Sequence, residues 1–226
     1  LSPLCDASAE FISPEGPLPH FSNALRAGGA VDILAIGSGT TVGEVNGTPG
    51  TSFPYRMVES LRAAWPSVTF GLTVRGGRNM TAEDMLPLLR QAVGTGHYAL
   101  VLWQTGTVEA VRGLRPDSLR GALRSGIDAA QARGGDVVLI DSQFSRFLRA
   151  NADLDPYEQV LRDSAMLPDV ALFRRFDLMR YWANEGRIDL ERARKQDREV
   201  AVTSLNVCLG QMLARFVTHG MVHPAN

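Results

Sequence analysis

Cysteine is nearly absent from this chain: among 226 residues only Cys5 and Cys208 carry a thiol. Two thiols make neither a disulfide framework nor a metal site. They leave two options, a single bridge tying an N-terminal arm to a late helix in an oxidising compartment, or a pair of unpaired thiols with Cys208 buried in a helix. Net charge is equally scarce, since 23 Lys plus Arg stand against 24 Asp plus Glu, for a formal balance of -1. That excludes nucleic acid or an anionic membrane surface held by a bulk electrostatic field. The positive residues are nearly all arginine, scattered rather than gathered into a basic arm. No apolar run approaches the ~20 residues that a membrane helix needs. No signal peptide precedes Leu1, as in a processed or trimmed chain, and Ser2-Pro3-Leu4-Cys5 is a poor lipoprotein cleavage box. What is there is ordinary for a globular protein: 45% hydrophobic and 21% charged residues, at a length that suits one large domain.

Residues 1–30 read as an N-terminal arm and short helix: Leu1 to His20, with Pro3, Pro14, Pro17 and Pro19 and no period, as an extended arm laid over the surface, and Phe21 to Ala27 as a helical turn or two before Gly28-Gly29. Residues 31–226 read as one domain. Five short runs read as strands, Ile33–Ile36, Val68–Val74, Tyr98–Trp103, Val137–Ile140 and Val170–Phe173, and the first fits a strand buried on both faces of a parallel sheet. Between them lie helical patterns. One starts at Pro54 with Val58, Leu61 and Trp65 on one face. Another starts at the Thr81/Asp84 signature with Leu86, Leu89 and Val93, a third at Pro116 with Leu119, Leu123 and Ile127, and a fourth at Asp155-Pro156. The last helix carries Leu205, Leu209, Met212 and Phe216 on one face and ends near Gly220. Asp189 and the Arg-rich stretch 187–198 read as helix cap and solvated helix face. Strands alternating with helices predict a three-layer α/β/α domain with a five-stranded parallel sheet and right-handed crossovers.

In such sheets the loops leaving the carboxyl ends of the strands build the ligand crevice. Three of these loops are small and polar: Gly37-Ser38-Gly39-Thr40-Thr41, Arg75-Gly76-Gly77-Arg78-Asn79-Met80, and Gln104-Thr105-Gly106-Thr107. A long irregular connection, 42–51, is expected beside the first. Arg75 and Arg78 have the chemistry to clamp a carboxylate or phosphate. Gln104, Thr105 and Thr107 offer neutral hydrogen-bonding groups suited to sugars. No dinucleotide fingerprint, phosphate loop or metal-spaced cluster is present, so neither a cofactor nor a metal is expected.

The segments GSGTTVG, RGGRNMTAEDM and LWQTGTVEAV resemble, in order, spacing and strand context, the first three blocks of the SGNH (GDSL) hydrolase superfamily. The resemblance covers the chain after Ala30. It implies a flavodoxin-like ester hydrolase fold acting on lipid, carbohydrate or other acyl esters through a Ser nucleophile, a His-Asp pair and an oxyanion hole. Carried over position by position, it puts Gly39 at the nucleophile, with Ser38 one residue early. Asn79 stands for the oxyanion glycine and still supplies a backbone N–H. Gly106-Thr107-Val108-Glu109 stands for Gly-x-Asn-Asp, so Val108 replaces the side-chain donor. The closing Asp-x-x-His falls either on Asp197 and Val200 or on Thr203 and Asn206, and neither register contains a histidine.

A general base must lie within hydrogen-bond reach of its nucleophile. His97, before the third strand, and His219 and His223, after the last helix, belong at the far edge of the sheet, and only His20 is unplaced. Glu109 and Asp141, at strand ends, are the acidic candidates beside Ser38. The resulting expectation is an SGNH-like protein with its catalytic positions replaced, binding a saccharide or acyl-ester ligand, or a protein partner, through Gly39, Thr40, Arg75, Arg78, Asn79, Gln104, Thr107, Glu109 and Asp141. The alternative is an active ester hydrolase or acyltransferase using Ser38. No nucleic-acid partner and no membrane span are expected, and an exported location would agree with a Cys5–Cys208 bridge.

Overall fold

The computed structural model describes residues 2–43 and 50–219. After two short 3-10 turns, Pro3–Cys5 and Ala9–Phe11, helix α1 spans Pro19–Ala27. Strand β1 (Gly29–Gly37) leads into a single turn, α2 (Gly39–Val42). Then come α3 (Phe53–Ala64), β2 (Val68–Gly76), α4 (Ala82–Thr95) and β3 (Leu100–Gln104). These are followed by α5 (Thr107–Arg112), α6 (Pro116–Gln131), β4 (Asp136–Ile140) and α7 (Arg146–Asn151). The chain continues through α8 (Asp155–Ala165), β5 (Val170–Phe173), α9 (Arg175–Asn184) and α10 (Arg198–Thr218).

The sheet is wholly parallel in the order β2-β1-β3-β4-β5, with Ile33 opposite Leu72 on one side and Leu100 on the other. Alternation along each strand splits the core in two. Ile33 and Ala35 of β1 join Leu100, Leu102, Val138 and Ile140 beneath α1, α3, α9 and α10. Leu34 and Ile36 join Val101, Trp103, Val137 and Leu139 beneath α4, α6 and α8. Strands β3 and β4 are buried at every position, which is why they read in sequence as continuous apolar runs, whereas the edge strand β2 is only partly buried. The expected capping box closes the start of α4: Thr81 Oγ1 accepts from the Asp84 amide, and Asp84 Oδ2 accepts from the Thr81 amide at 2.9 Å.

Several expectations change. The arm is not laid over the surface: Cys5, Phe11 and Leu18 are buried in the same core as the sheet. Cys5 and Cys208 are bridged, with their Cα atoms 4.8 Å apart, which settles the choice between a bridge and two thiols. Residues 187–197 are not helical apart from the 3-10 turn Lys195–Asp197, and Arg198 opens α10. Asp189 Oδ1 there accepts from the Glu191 and Arg192 amides and from Arg146, so it pins a loop rather than capping a helix. Thr107 opens α5 instead of lying in a loop, because Glu109 supplies the cap that the local sequence lacks. Most of the connection 42–51, His223 and the end near Gly220 lie outside the described residues.

By length and composition alone the stretch Lys195–Thr218, which contains α10, is apolar enough to cross a membrane, a test that the core helix of a globular domain also passes; half of its apolar window is buried in the domain. Gly210 lets it approach α3: a Cβ there would meet Arg56 Cβ at 2.4 Å and the Met57 amide nitrogen at 2.6 Å. Gly210→Ala is therefore expected to cost roughly 1–3 kcal/mol of overpacking. Chemical denaturation reads it, and a cost under about 0.5 kcal/mol would mean the two helices separate freely.

Candidate functional site

The strand order reverses between β1 and β3, and in open parallel sheets ligands bind outside the carboxyl ends at that point. The side chain of Gln104, the last residue of β3, turns back across it. Its Oε1 accepts from the Ser38 amide at 3.1 Å, from Ser38 Oγ at 3.0 Å and from Thr41 Oγ1 at 3.2 Å. One carbonyl oxygen thus ties the β1 loop to β3, and Ser38 Oγ spends its proton on an amide. The glycine pair Gly37 and Gly76 makes the neighbouring approach possible, since a Cβ on Gly76 would meet Gly37 O at 1.9 Å.

The other polar loop residues are committed in the same way. Glu109 is 2% exposed; its Oε1 accepts from the Ala82 amide and from Thr105 Oγ1, and its Oε2 accepts from the Gly106 amide at 3.0 Å. It closes the first turns of α4 and α5 and is no base for Ser38. Thr107 Oγ1 donates to Ser142 Oγ at 3.0 Å. Asn79 takes a left-handed backbone (φ 61°), which asparagine tolerates, and its carbonyl accepts from Arg112. Arg75 is exposed and donates to the Val74 carbonyl at 3.1 Å, and Arg78 is exposed as well.

Asp141 follows β4 and is buried; its Oδ1 accepts from the Phe176 amide at 2.9 Å, closing the first turn of α9. Burial raises its pKa to about 7, against the opposing pull of that amide and of Arg175. Arg175, the first residue of α9, was not singled out from the sequence. It is 2% exposed, and its guanidinium donates to Thr40 Oγ1 at 3.3 Å. Burial lowers its pKa to about 10, so it remains charged at neutral pH. Beside it lies a cavity of about 60 Å³ walled by Thr40, Phe53, Gln143, Met179, Leu205 and Asn206. Of the two registers for the closing motif, the Thr203/Asn206 one brings its terminal residue to this cavity, whereas Val200 is 68% exposed.

Among the described residues no imidazole reaches Ser38. His20 stands at the start of α1, His97 precedes β3 and His219 follows α10. His20 is met there by Asp136 and Asp169, whose ligand atoms all lie within 4.8 Å of one another. This gathers a His/Asp group that the spacing along the sequence does not reveal.

The layers, the strand order and the position of the polar loops define the fold of the SGNH-hydrolase esterases. AlinE4, an SGNH-hydrolase family esterase, superposes with a TM-score of 0.57 at 19% identity, over 76% of this chain and 89% of its own. A two-domain esterase active on acetylated mannans, crystallised with mannopentaose, gives 0.68 at 15% identity, over 91% of this chain and 55% of its own. LAE5, an α/β hydrolase from the metagenome of Lake Arreo, Spain, gives 0.61 at 15% identity, over 84% and 99%. No curated protein matches at the level of sequence. The chain belongs to the non-GDSL lipase-like family, whose model matches residues 4–223.

Proposed function

We propose that this protein keeps the esterase scaffold without its catalytic groups, and binds a saccharide or acyl-ester ligand, or serves a partner enzyme, through the crevice at the β1/β3 reversal. The observation that carries this reading is the Ser38 hydroxyl: it donates to the Gln104 amide oxygen, which is far too weak a base to take its proton. Gly39 stands at the nucleophile position of the resemblance, and Val108 at the oxyanion donor, with no polar atom on either side chain. The mannan-esterase neighbour supports a carbohydrate-linked ligand. The buried bridge supports residence in an oxidising compartment.

The expected result is no turnover of p-nitrophenyl acetate or butyrate above the uncatalysed rate, and no labelling by a serine-directed fluorophosphonate. Hydrolysis that disappears in Ser38→Ala would instead establish an esterase using Ser38 with an unusual base. Because Ser38 joins β1 to β3, Ser38→Ala is expected to cost about 1 kcal/mol of stability in either case.

A further inference from the structure

We propose that the cavity beside Thr40 takes a short-chain carboxylate, with Arg175 as the partner of its charge. This rests on the reading of the protein as a binding scaffold and adds, beside the crevice for the saccharide or acyl ester, a subsite for a charged group.

Arg175 carries five donors on a side chain that is almost wholly buried. One of them meets Thr40 Oγ1, at 3.3 Å. Among the described residues Nε has no hydrogen-bond partner and no carboxylate comes within 4 Å of the guanidinium nitrogens; Asp141 acts on the charge from farther off. Phe53 lies under it, 5.9 Å from its ring centre. A buried charge is tolerated when it is paired, and here the pairing inside the domain is incomplete. Arg175 is part of the wall of the 60 Å³ cavity.

The walls select among anions. Phe53, Met179, Leu205 and Leu209 are apolar, while Gln143 and Asn206 each add an amide. Inorganic phosphate would set most of its oxygens against hydrocarbon. A neutral ester or a sugar hydroxyl would bring no negative charge to the guanidinium. A carboxylate matches the planar fork of Arg bidentately, and a short alkyl tail matches the walls. The small volume restricts the tail to very few carbons. The ligand class is thus the acid that an ester hydrolase would release, held rather than made.

The test uses the full chain with sodium propionate, and propionamide as its neutral isostere, at matched ionic strength. Propionate is expected to raise the melting temperature and to titrate saturably by calorimetry, and propionamide to do neither. Arg175→Gln should weaken propionate binding at least tenfold, and Arg175→Lys should recover part of it. Should Arg175→Gln fold poorly, a substitution at Val202, which also lines the cavity, decides: Val202→Trp leaves Arg175 in place, fills the cavity and should abolish binding at an unchanged circular dichroism spectrum. Equal effects of propionamide and propionate, full binding by both variants, or binding of phosphate in place of propionate would each overturn the proposal. Turnover of p-nitrophenyl acetate in the same samples would overturn the non-catalytic reading and leave this one standing. Absence of propionate binding without turnover would overturn this one alone.

Discussion

Reduction of the Cys5–Cys208 bridge is expected to lower the unfolding free energy by about 2–5 kcal/mol, near the upper end of what one native disulfide supplies. The reason is the loop it closes: the two residues are 203 positions apart, so the bridge removes a large share of the freedom of the unfolded chain. Both sulfurs are buried, and Phe11, Leu18 and Phe21 continue the same packing behind the arm. Guanidinium unfolding of the oxidised protein against the Cys5→Ala/Cys208→Ala double variant measures the effect. A difference under about 1 kcal/mol would show that the arm's apolar contacts alone hold it in place.

Stability is also expected to fall as pH rises from about 4 to 7, and Asp141→Asn should flatten that slope. Burial raises the Asp141 pKa in the folded protein to about 7, above its ordinary value of 3.8. The folded state therefore binds the proton more tightly than the unfolded one. The stability this represents is complete below the unfolded pKa and is lost as pH passes through the folded one. The groups facing Asp141 are Arg175, which opposes the shift, and Glu158 and Asp177, which add to it. The full interval corresponds to a ceiling of about 4 kcal/mol. Asp136 moves in the same direction, to about 6, so the wild-type curve contains both and the variant isolates one. The readout is the slope between pH 4 and 7 in denaturant titrations, since replacing a charge beside Arg175 also changes the absolute level. An unchanged slope in Asp141→Asn would show that the buried carboxyl ionises as freely as an exposed one.

Much of the architecture is readable in the sequence because a parallel sheet covered on both faces writes itself as apolar runs. Val137–Ile140 and Val170–Phe173 are strands for that reason, and Leu205, Leu209, Met212 and Phe216 are the inner face of α10 as their spacing requires. The site is less readable, because a polar side chain at a strand end serves either a ligand or the next loop, and the letters are the same. Gln104, Thr107 and Glu109 point toward crevice chemistry in sequence, but the neighbouring backbone amides and hydroxyls claim them. Arg175 escaped notice for the opposite reason: within Arg174-Arg175-Phe176-Asp177 it looks like the solvated first turn of a helix, yet it is buried while its neighbour Arg174 reaches outward to the Glu10 carbonyl. No local signal separates two adjacent arginines, and only the packing of α9 on α3 and α10 does so.

The covalent link between the arm and α10 has a mechanical consequence. Tension pulling on the chain outside positions 5 and 208 runs through the sulfur–sulfur bond and bypasses the sheet, so the domain stays closed under a force that would peel apart the same fold held by packing alone. Thiol reductants are then what expose the five strands to load, which couples the protein's resistance to stretching to the oxidation state of its surroundings.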